Sequence, residues 1–305
     1  MLKHTFLGIA AILTTTLIAF GQQPGQRWSD VDYAGDEQVF HQMDIHLPSL
    51  EKDRYPVVVV IYGSAWFSNN MKQMGFQALG QPLLDRGFAV VSINHRSSAD
   101  AAYPAQINDV KAAIRYLRAN ASNYRMDERF IGITGFSSGG HLASLAGTTN
   151  GLKTYTLGNT SLDIEGSVGE HPTFSSSVDA VVDWFGPIDL NRMDECKRPK
   201  AGNSPESALI RGSLTEHPDL VALASPNTYV DASDVPFLII HGTADNVVPL
   251  CQSELFAAVL QEANCLDAFH QVPDGQHGPV TFNETSFTWM CDFFEKVASK
   301  KRNEP

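Results

Sequence analysis

The sequence predicts an α/β fold in which helices cover both faces of a doubly wound, mostly parallel sheet. Short runs of β-branched and apolar residues, such as 57–62 and 88–93, are typical of strands that are buried on both faces. They alternate with segments whose apolar residues recur at intervals of three and four, as in an amphipathic helix. Repeated strand–helix units of this kind give a parallel sheet with helices on either side.

The predicted elements follow one another without a repeat or a low-complexity linker, so we expect a single domain over residues 22–305. Segment 28–47 predicts two strands around a turn, at the edge of the sheet. The other strands are predicted at 57–62, 88–93, 130–134, 178–185, 236–241 and 268–272, and the longer helices at 104–117, 141–146, 251–263 and 282–297. Segment 186–230 carries no strong strand signal and predicts either an excursion over one end of the sheet or a simple surface loop.

Composition and charge exclude one broad class of function. Apolar residues make up 43% of the 305 residues and charged residues 18%, which is typical of a globular protein with a sizeable core. The formal net charge is −12, and the only basic cluster lies at 300–302, near the end of the chain. Nucleic-acid binding needs a basic footprint, so we expect no nucleic-acid partner.

Residues 1–21 predict a signal peptide. An apolar run at 6–20 follows two basic residues, and residues 19–21 fit a small-x-small cleavage site, so we place the cut before Gln22. The alternative is an uncleaved membrane anchor, but the run is shorter than the ~20 residues of a spanning helix. We therefore expect a secreted or periplasmic protein with no stable membrane anchor.

The four cysteines lie in the second half of the chain, at Cys196, Cys251, Cys265 and Cys291. They show no CxxC spacing, and no histidine cluster has zinc-site intervals. We therefore expect no metal and no cofactor. An exported chain meets an oxidising compartment, which permits disulfides.

The motif at 135–139, Gly-Phe-Ser-Ser-Gly, directly follows the predicted strand 130–134 and precedes a helix. This is a GxSxG motif in the strand–turn–helix context of a nucleophile elbow. The glycines allow a turn too tight for a Cβ atom, and the helix N-terminus directs free N–H groups to the same place. The motif predicts Ser137, and not Ser138, as the nucleophile.

A serine hydroxyl needs a neighbouring base, and the base needs a third group that fixes its tautomer. Asp245 lies just beyond the strand 236–241, and His277 lies just beyond the next strand. Both fall at the carboxyl edge of the sheet, in the order serine, acid, histidine that this motif requires. We predict Asp245 as the orienting acid and His277 as the general base.

Three other residues compete for these roles. Asp274 is the rival acid, but it lies on the same loop as His277 instead of at the end of the preceding strand. His241 and His141 are the rival bases. His241 ends a buried strand and is expected to be a packed, hydrogen-bonded histidine, and His141 is expected to face away from Ser137.

An acyl-transfer site also needs donors for the oxyanion of the tetrahedral intermediate. One predicted donor is the N–H of Ser138, and the second comes from the loop after Tyr62, from Ser64 or Ala65. The aromatic residues of the two motifs, Trp66 and Phe136, are the candidates for contact with substrate.

At these residues the chain resembles the α/β-hydrolase esterases related to bacterial feruloyl and acetyl-xylan esterases, close to the hormone-sensitive-lipase-like carboxylesterases. The resemblance is strongest at 135–144, 204–206 and 236–254. Relatives usually have His-Gly-Gly-Gly-Trp where this chain has Tyr-Gly-Ser-Ala-Trp at 62–66. We expect the loop backbone to stay in regions that Ser and Ala tolerate.

The resemblance implies a carboxylic ester hydrolase that works through an acyl-enzyme intermediate on a small-molecule or polysaccharide-linked ester. The polysaccharide is expected to be of plant origin. Two alternatives remain open: a serine peptidase of the oligopeptidase type, and a weakly active or non-catalytic binding protein on the same fold. Fold alone does not choose between them.

We predict a disulfide between Cys196 and Cys251, which lie in the excursion and just after the Asp245 loop, both near the carboxyl end of the sheet. In the chain-entropy model such a loop contributes about 4 kcal/mol to stability. Peptide mapping under non-reducing conditions is expected to recover the two cysteines in one cross-linked fragment. A disulfide between Cys265 and Cys291 is possible as well. Free thiols at Cys196 and Cys251 would contradict the pairing.

Overall fold

The computed structural model describes residues 25–193 and 204–303. The strands are β1 (Arg27–Asp32), β2 (Gln42–His46), β3 (Tyr55–Ile61), β4 (Ala89–Ile93), β5 (Met126–Phe136), β6 (Thr154–Leu157), β7 (Thr160–Asp163), β8 (Ala180–Trp184), β9 (Phe237–Gly242) and β10 (Leu266–Val272). The α-helices are α1 (Lys72–Gly75), α2 (Gln81–Asp85), α3 (Ala105–Ala119), α4 (Ser138–Thr148), α5 (Pro205–Ile210), α6 (Pro218–Leu223), α7 (Leu250–Ala263) and α8 (Glu284–Arg302). The predicted signal peptide and Cys196 lie outside the described residues.

Eight strands form the central sheet, in the order β1-β2-β4-β3-β5-β8-β9-β10. The pairings β1–β2 and β2–β4 are antiparallel, and every pairing from β4 to β10 is parallel. This confirms the predicted α/β-hydrolase fold with a mostly parallel, doubly wound sheet. The antiparallel edge is the predicted pair of strands in segment 28–47.

Strand β3 is buried on both faces, as its run of β-branched residues predicts. Val57, Val59 and Ile61 belong to the apolar cluster on one side of the sheet, and Val58 and Val60 belong to the cluster on the other. Successive side chains of a strand point to opposite faces, so one continuous apolar run fills both cores. Each fully buried valine or isoleucine contributes roughly 1.5–3 kcal/mol to the free energy of unfolding.

Two features of the chain after α4 complete the fold. The antiparallel pair β6–β7 was not predicted, although Gly158-Asn159 between two short alternating segments is a hairpin signal. Its far end is held to α3 by ion pairs from Lys111 and Arg115 to Glu165.

Segment 186–230 contains two short helices, α5 and α6, and no strand in its described part, as an excursion over the sheet requires.

The structure also bears on the predicted disulfides, on membrane spans and on metal sites. Cys265 and Cys291 are free and buried, so the second possible disulfide, between these two residues, is not formed. The pairing of Cys251 with Cys196 stays a prediction. Within residues 25–193 and 204–303, no helix is long and apolar enough to cross a bilayer, and no three metal-ligating side chains cluster.

A buried network of charges ties the antiparallel edge to α3. The guanidinium of Arg96 binds the buried Asp109 carboxylate with two nitrogens, and the Arg96 N–H adds a bond of 2.8 Å. His41 joins the same carboxylate through Nε2 at 3.2 Å and binds Asp36 through Nδ1 at 2.7 Å. Burial lowers the pKa of His41, but the bonds and charges of Asp109 and Asp36 outweigh it, so the pKa is raised.

This raised pKa predicts a pH-dependent contribution of His41 to stability. A histidine with a higher pKa in the folded state stabilises it fully below the unfolded pKa of about 6.5, and loses that contribution as the pH rises through the folded pKa. The difference in free energy of unfolding between the protein and a His41→Gln variant is expected to be larger at pH ~6 than at pH ~9. Urea denaturation at both values measures it, and equal differences would contradict the assignment.

Candidate active site

Ser137 occupies a strained turn between β5 and α4. Its backbone has φ 56° and ψ −127°, a region that non-glycine residues rarely adopt and that costs on the order of 1–3 kcal/mol. The Ser137 N–H donates to the carbonyl of Trp184 at 2.9 Å, and its carbonyl accepts from the His141 N–H at 3.0 Å. These bonds to β8 and α4 hold the turn, which presents the serine side chain at the carboxyl edge of the sheet.

The backbone of the serine turn contacts the backbone at the end of β3, and two glycines make this close contact possible. A Cβ atom on Gly139 would lie 2.3 Å from the carbonyl oxygen of Ile61. A Cβ atom on Gly63 would lie 2.8 Å from the Cβ of Ser137. Both distances are far inside van der Waals contact, so the loop after β3 and the serine turn depend on each other for their positions.

The structure brings together the three residues predicted as nucleophile, base and acid. His277 Nε2 lies 2.9 Å from Ser137 Oγ, and His277 Nδ1 lies 2.7 Å from Asp245 Oδ2. Asp245 and His277 follow β9 and β10, which run parallel, so their loops meet at one edge of the sheet. With Nδ1–H donated to the carboxylate, Nε2 of a neutral imidazole can accept the serine proton.

The Asp245 carboxylate is ionised although it is buried. Burial raises its pKa, but hydrogen bonds from His241 and His277, the charge of His277 and the Val247 N–H outweigh that effect, so the pKa lies well below its usual range. Asp245 Oδ1 accepts the N–H groups of Val247 and Val248 at 2.8 and 3.0 Å. The negative charge can therefore hold the His277 ring and stabilise an imidazolium.

The rival residues have partners of their own. His241 is buried and bonds to Ser253 Oγ through Nδ1 at 2.7 Å and to the Val248 carbonyl through Nε2 at 3.0 Å, and its Nε2 also lies 3.4 Å from Asp245 Oδ2. His141 is buried in α4, where its Nε2 donates to the Ala224 carbonyl at 2.7 Å. Asp274 makes no hydrogen bond to His277 in the described part of the chain. None of the three replaces Asp245 or His277 next to Ser137.

Segment 63–67, called here the oxyanion loop, turns sharply beside the serine turn. The Phe67 N–H donates to the Ser64 carbonyl at 3.0 Å, and both central residues, Ala65 and Trp66, have positive φ, 51° and 59°. This is the arrangement of a type I′ turn, which favours glycine. The tight turn places Ala65 in the left-handed region, which is allowed for residues other than glycine but which they adopt uncommonly.

The two residues predicted to supply the second oxyanion donor, Ser64 and Ala65, differ in whether their N–H is already hydrogen-bonded. The Ser64 N–H already donates to the side-chain oxygen of Ser138 at 2.9 Å. The Ala65 N–H donates no hydrogen bond within residues 25–193 and 204–303. Ser138 begins α4, so the preceding turn offers no acceptor for its own N–H. Of the predicted pair, only Ala65 has an N–H that can act together with the N–H of Ser138.

The aromatic candidates for substrate contact also differ. Trp66 is 1% exposed, and its indole N–H donates to His141 Nδ1 at 3.3 Å. Its ring is occupied in packing the oxyanion loop onto α4, so its predicted contact with substrate is not supported. Phe136 is half-buried and contacts the rings of Phe185 and Phe282. Its role in substrate binding stays a prediction.

Sequence reasoning missed two groups near the site. The ring of Phe185 lies 4.7 Å from the His277 ring, centroid to centroid, and limits the positions of the imidazole. Phe67, which follows Trp66 in the oxyanion loop, is 56% exposed and offers an apolar surface to solvent. The only sequence signal for either residue is its place at or just after a strand's carboxyl end.

Asp183 is a buried carboxyl group beneath the serine turn. Its Oδ1 accepts the Gly186 N–H at 3.0 Å and leaves no room for a Cβ atom on Gly140, while its Oδ2 has no partner in the described part of the chain. Burial raises the pKa of Asp183 to about 7, and the Gly186 N–H opposes the shift only partly. The group packs β8 against α4 and does not contact Ser137 Oγ.

The fold and this hydrogen-bonded serine, histidine and aspartate define an α/β-hydrolase. The chain belongs to the BD-FAE family, whose sequence model matches residues 43–260. This confirms the predicted resemblance to feruloyl and acetyl-xylan esterases and to hormone-sensitive-lipase-like carboxylesterases.

Three similar proteins illustrate the grouping. The esterase LipQ of Mycobacterium tuberculosis is 32% identical over 228 residues, which are 73% of this chain and 50% of that protein. A truncated carbohydrate esterase from gut microbiota is 51% identical with a TM-score of 0.89, over 91% of this chain and 98% of that one. A bifunctional GH43-CE protein of Bacteroides eggerthii is 60% identical with a TM-score of 0.87, over 89% of this chain and 35% of that one. The chain spans about half the length of the curated relatives it matches.

We expect a fluorophosphonate probe to form a covalent bond to Ser137 and not to Ser138. The Ser137 hydroxyl lies 2.9 Å from the imidazole of His277, whereas the Ser138 hydroxyl accepts the Ser64 N–H. Peptide mapping by mass spectrometry locates the adduct. Replacing His277 by Asn is expected to slow labelling by about a hundredfold or more. An adduct on Ser138, or labelling at an undiminished rate in the His277 variant, would contradict this interpretation.

Proposed function

We propose that this protein is a carboxylic ester hydrolase in which Ser137, His277 and Asp245 act as a catalytic triad. The observation that carries the proposal is the continuous pair of hydrogen bonds from Ser137 Oγ through the imidazole to the buried carboxylate, 2.9 and 2.7 Å long. Membership of the BD-FAE family and similarity to esterases support the same reaction class.

In the first half of the proposed reaction, Ser137 Oγ attacks the ester carbonyl carbon while His277 Nε2 takes the hydroxyl proton. The carbonyl oxygen becomes an oxyanion that the N–H groups of Ser138 and Ala65 stabilise. His277 then gives the proton to the leaving alcohol, and the acyl group stays on Ser137. Asp245 remains ionised throughout and stabilises the imidazolium.

In the second half, water takes the place of the alcohol, and the same steps occur in reverse order. His277 takes a proton from the water as its oxygen attacks the acyl-enzyme, and returns it to Ser137 Oγ when the carboxylic acid leaves. Each oxyanion donor is worth roughly 3–4 kcal/mol of transition-state stabilisation in sites of this kind. Loss of the donor on the oxyanion loop would therefore lower turnover by a factor of roughly 10²–10³.

For the substrate, we propose acyl esters carried by plant polysaccharide, with hydrolysis taking place outside the cytoplasm. The first part is supported by the similarity to a carbohydrate esterase from gut microbiota, which is 51% identical to this chain. The second part is supported by the predicted signal peptide at 1–21. The exposed Phe67, the last residue of the oxyanion loop, suits an apolar acyl group or the face of a sugar ring.

The test compares Ser137→Ala with a matched control, Ser144→Ala, on acetylated xylan, methyl ferulate and p-nitrophenyl acetate. Ser144 lies buried on the same helix, α4, and its hydroxyl has no hydrogen-bond partner in the described part of the chain. We expect Ser137→Ala to lower kcat by on the order of 10⁴ or more and Ser144→Ala to leave it unchanged.

Other outcomes choose among the alternatives. Full activity of Ser137→Ala would end the triad assignment. Cleavage of peptide anilides in preference to all esters would favour the serine peptidase. Binding of acetylated xylan without turnover would favour a non-catalytic binding protein.

A further inference from the structure

We infer that the hydroxyl of Ser138 is a positioning group that fixes the oxyanion loop, so that Ala65, and not Ser64, supplies the second oxyanion donor. The inference rests on the proposed ester hydrolysis. It assigns a role to the Ser138 side chain, in addition to the role proposed for its backbone N–H.

The contact that carries the inference joins two segments far apart in sequence. Ser138 Oγ accepts the Ser64 N–H at 2.9 Å, and the Ser138 side chain is buried at the first residue of α4. Ser138 therefore has two roles in this proposal. Its backbone N–H is one oxyanion donor, and its side chain holds the loop that carries the other donor, the N–H of Ala65. The relative position of the two donors is set through a single residue.

The loop needs such external bonds because its conformation is unfavourable by itself. Two consecutive non-glycine residues, Ala65 and Trp66, lie in the left-handed region, and strained backbone persists only where its surroundings over-determine it. At one end, Ser138 holds the Ser64 N–H. At the other end, Trp66 is held through its carbonyl, which accepts the Ser98 N–H at 2.8 Å, and through its indole N–H bound to His141.

The same contact removes Ser64 as an oxyanion donor. An N–H group whose hydrogen is directed at Ser138 Oγ at 2.9 Å cannot at the same time make a full hydrogen bond to a developing oxyanion. Ala65, the next residue in the turn, keeps its N–H. The side chain that follows the nucleophile thus decides which loop N–H faces the reaction.

The first experiment measures steady-state kinetics of Ser138→Ala on p-nitrophenyl acetate, with Ser144→Ala as the matched loss of a buried serine hydroxyl from α4. Losing one positioning hydrogen bond is expected to lower kcat roughly three- to tenfold and to leave KM within about twofold. Inhibition by phenylboronic acid, whose adduct on Ser137 is tetrahedral, is expected to weaken by the same factor as kcat. A purely structural defect would not make those two losses equal.

Two results would overturn the inference. A rise in kcat would mean that Ser64 is the oxyanion donor and that the Ser138 hydroxyl competes for its N–H. An unchanged kcat would mean that the loop keeps its position without the hydroxyl.

A second experiment needs no turnover and so separates this inference from the proposed function. Hydrogen exchange of the peptide amides at 62–68 is expected to be faster in Ser138→Ala than in Ser144→Ala, because the Ser64 N–H loses its acceptor. Equal exchange would overturn the positioning role even in an active esterase. An unmodified protein that hydrolyses no ester, yet shows the difference in exchange, would refute the proposed function and leave the contact between Ser138 and the loop standing.

Discussion

The site depends on one close approach of backbone to backbone, where the strained turn at Ser137 meets the end of β3. Gly139 and Gly63 lie where any Cβ atom would collide with that neighbouring chain. The contact brings the nucleophile and the oxyanion loop to one place, and the bonds of Ser137 to β8 and α4 maintain the strain. A change of a few tenths of an ångström here would move the Ser137 hydroxyl together with the backbone N–H groups of Ser138 and Ala65.

The charges of the site follow from that arrangement. Asp245 is buried where an isolated carboxylate would be costly, yet it remains ionised because backbone N–H groups and two histidines surround it. Asp183 lies just beneath the serine turn with a single backbone donor, and its pKa rises to about 7. The pKa values of these two buried carboxyl groups are thus shifted in opposite directions because the groups differ in hydrogen-bond donors.

The oxyanion loop has a conformation that favours glycine, but it contains other residues and is held in that conformation by hydrogen bonds to its surroundings. Its residues Ser64 and Ala65 stand where relatives usually have glycine, and Ala65 takes a left-handed conformation that it adopts rarely. Bonds from Ser138, Ser98 and His141 hold the turn from outside. The strained form of the loop is therefore stable only while those bonds are made.

The sequence by itself determined the order of the strands in the central sheet and of the longer helices between them. It also determined the elbow around Ser137 and the placement of Asp245 and His277 at neighbouring strand ends. These follow from local patterns, because apolar periodicity reports burial and parallel strands end at one edge. Only the tertiary structure decided that Trp66 is buried against His141 and that the Ser64 N–H belongs to Ser138. Those outcomes depend on atoms that lie more than seventy residues apart in the chain, and no local pattern records which of two adjacent N–H groups meets a distant acceptor.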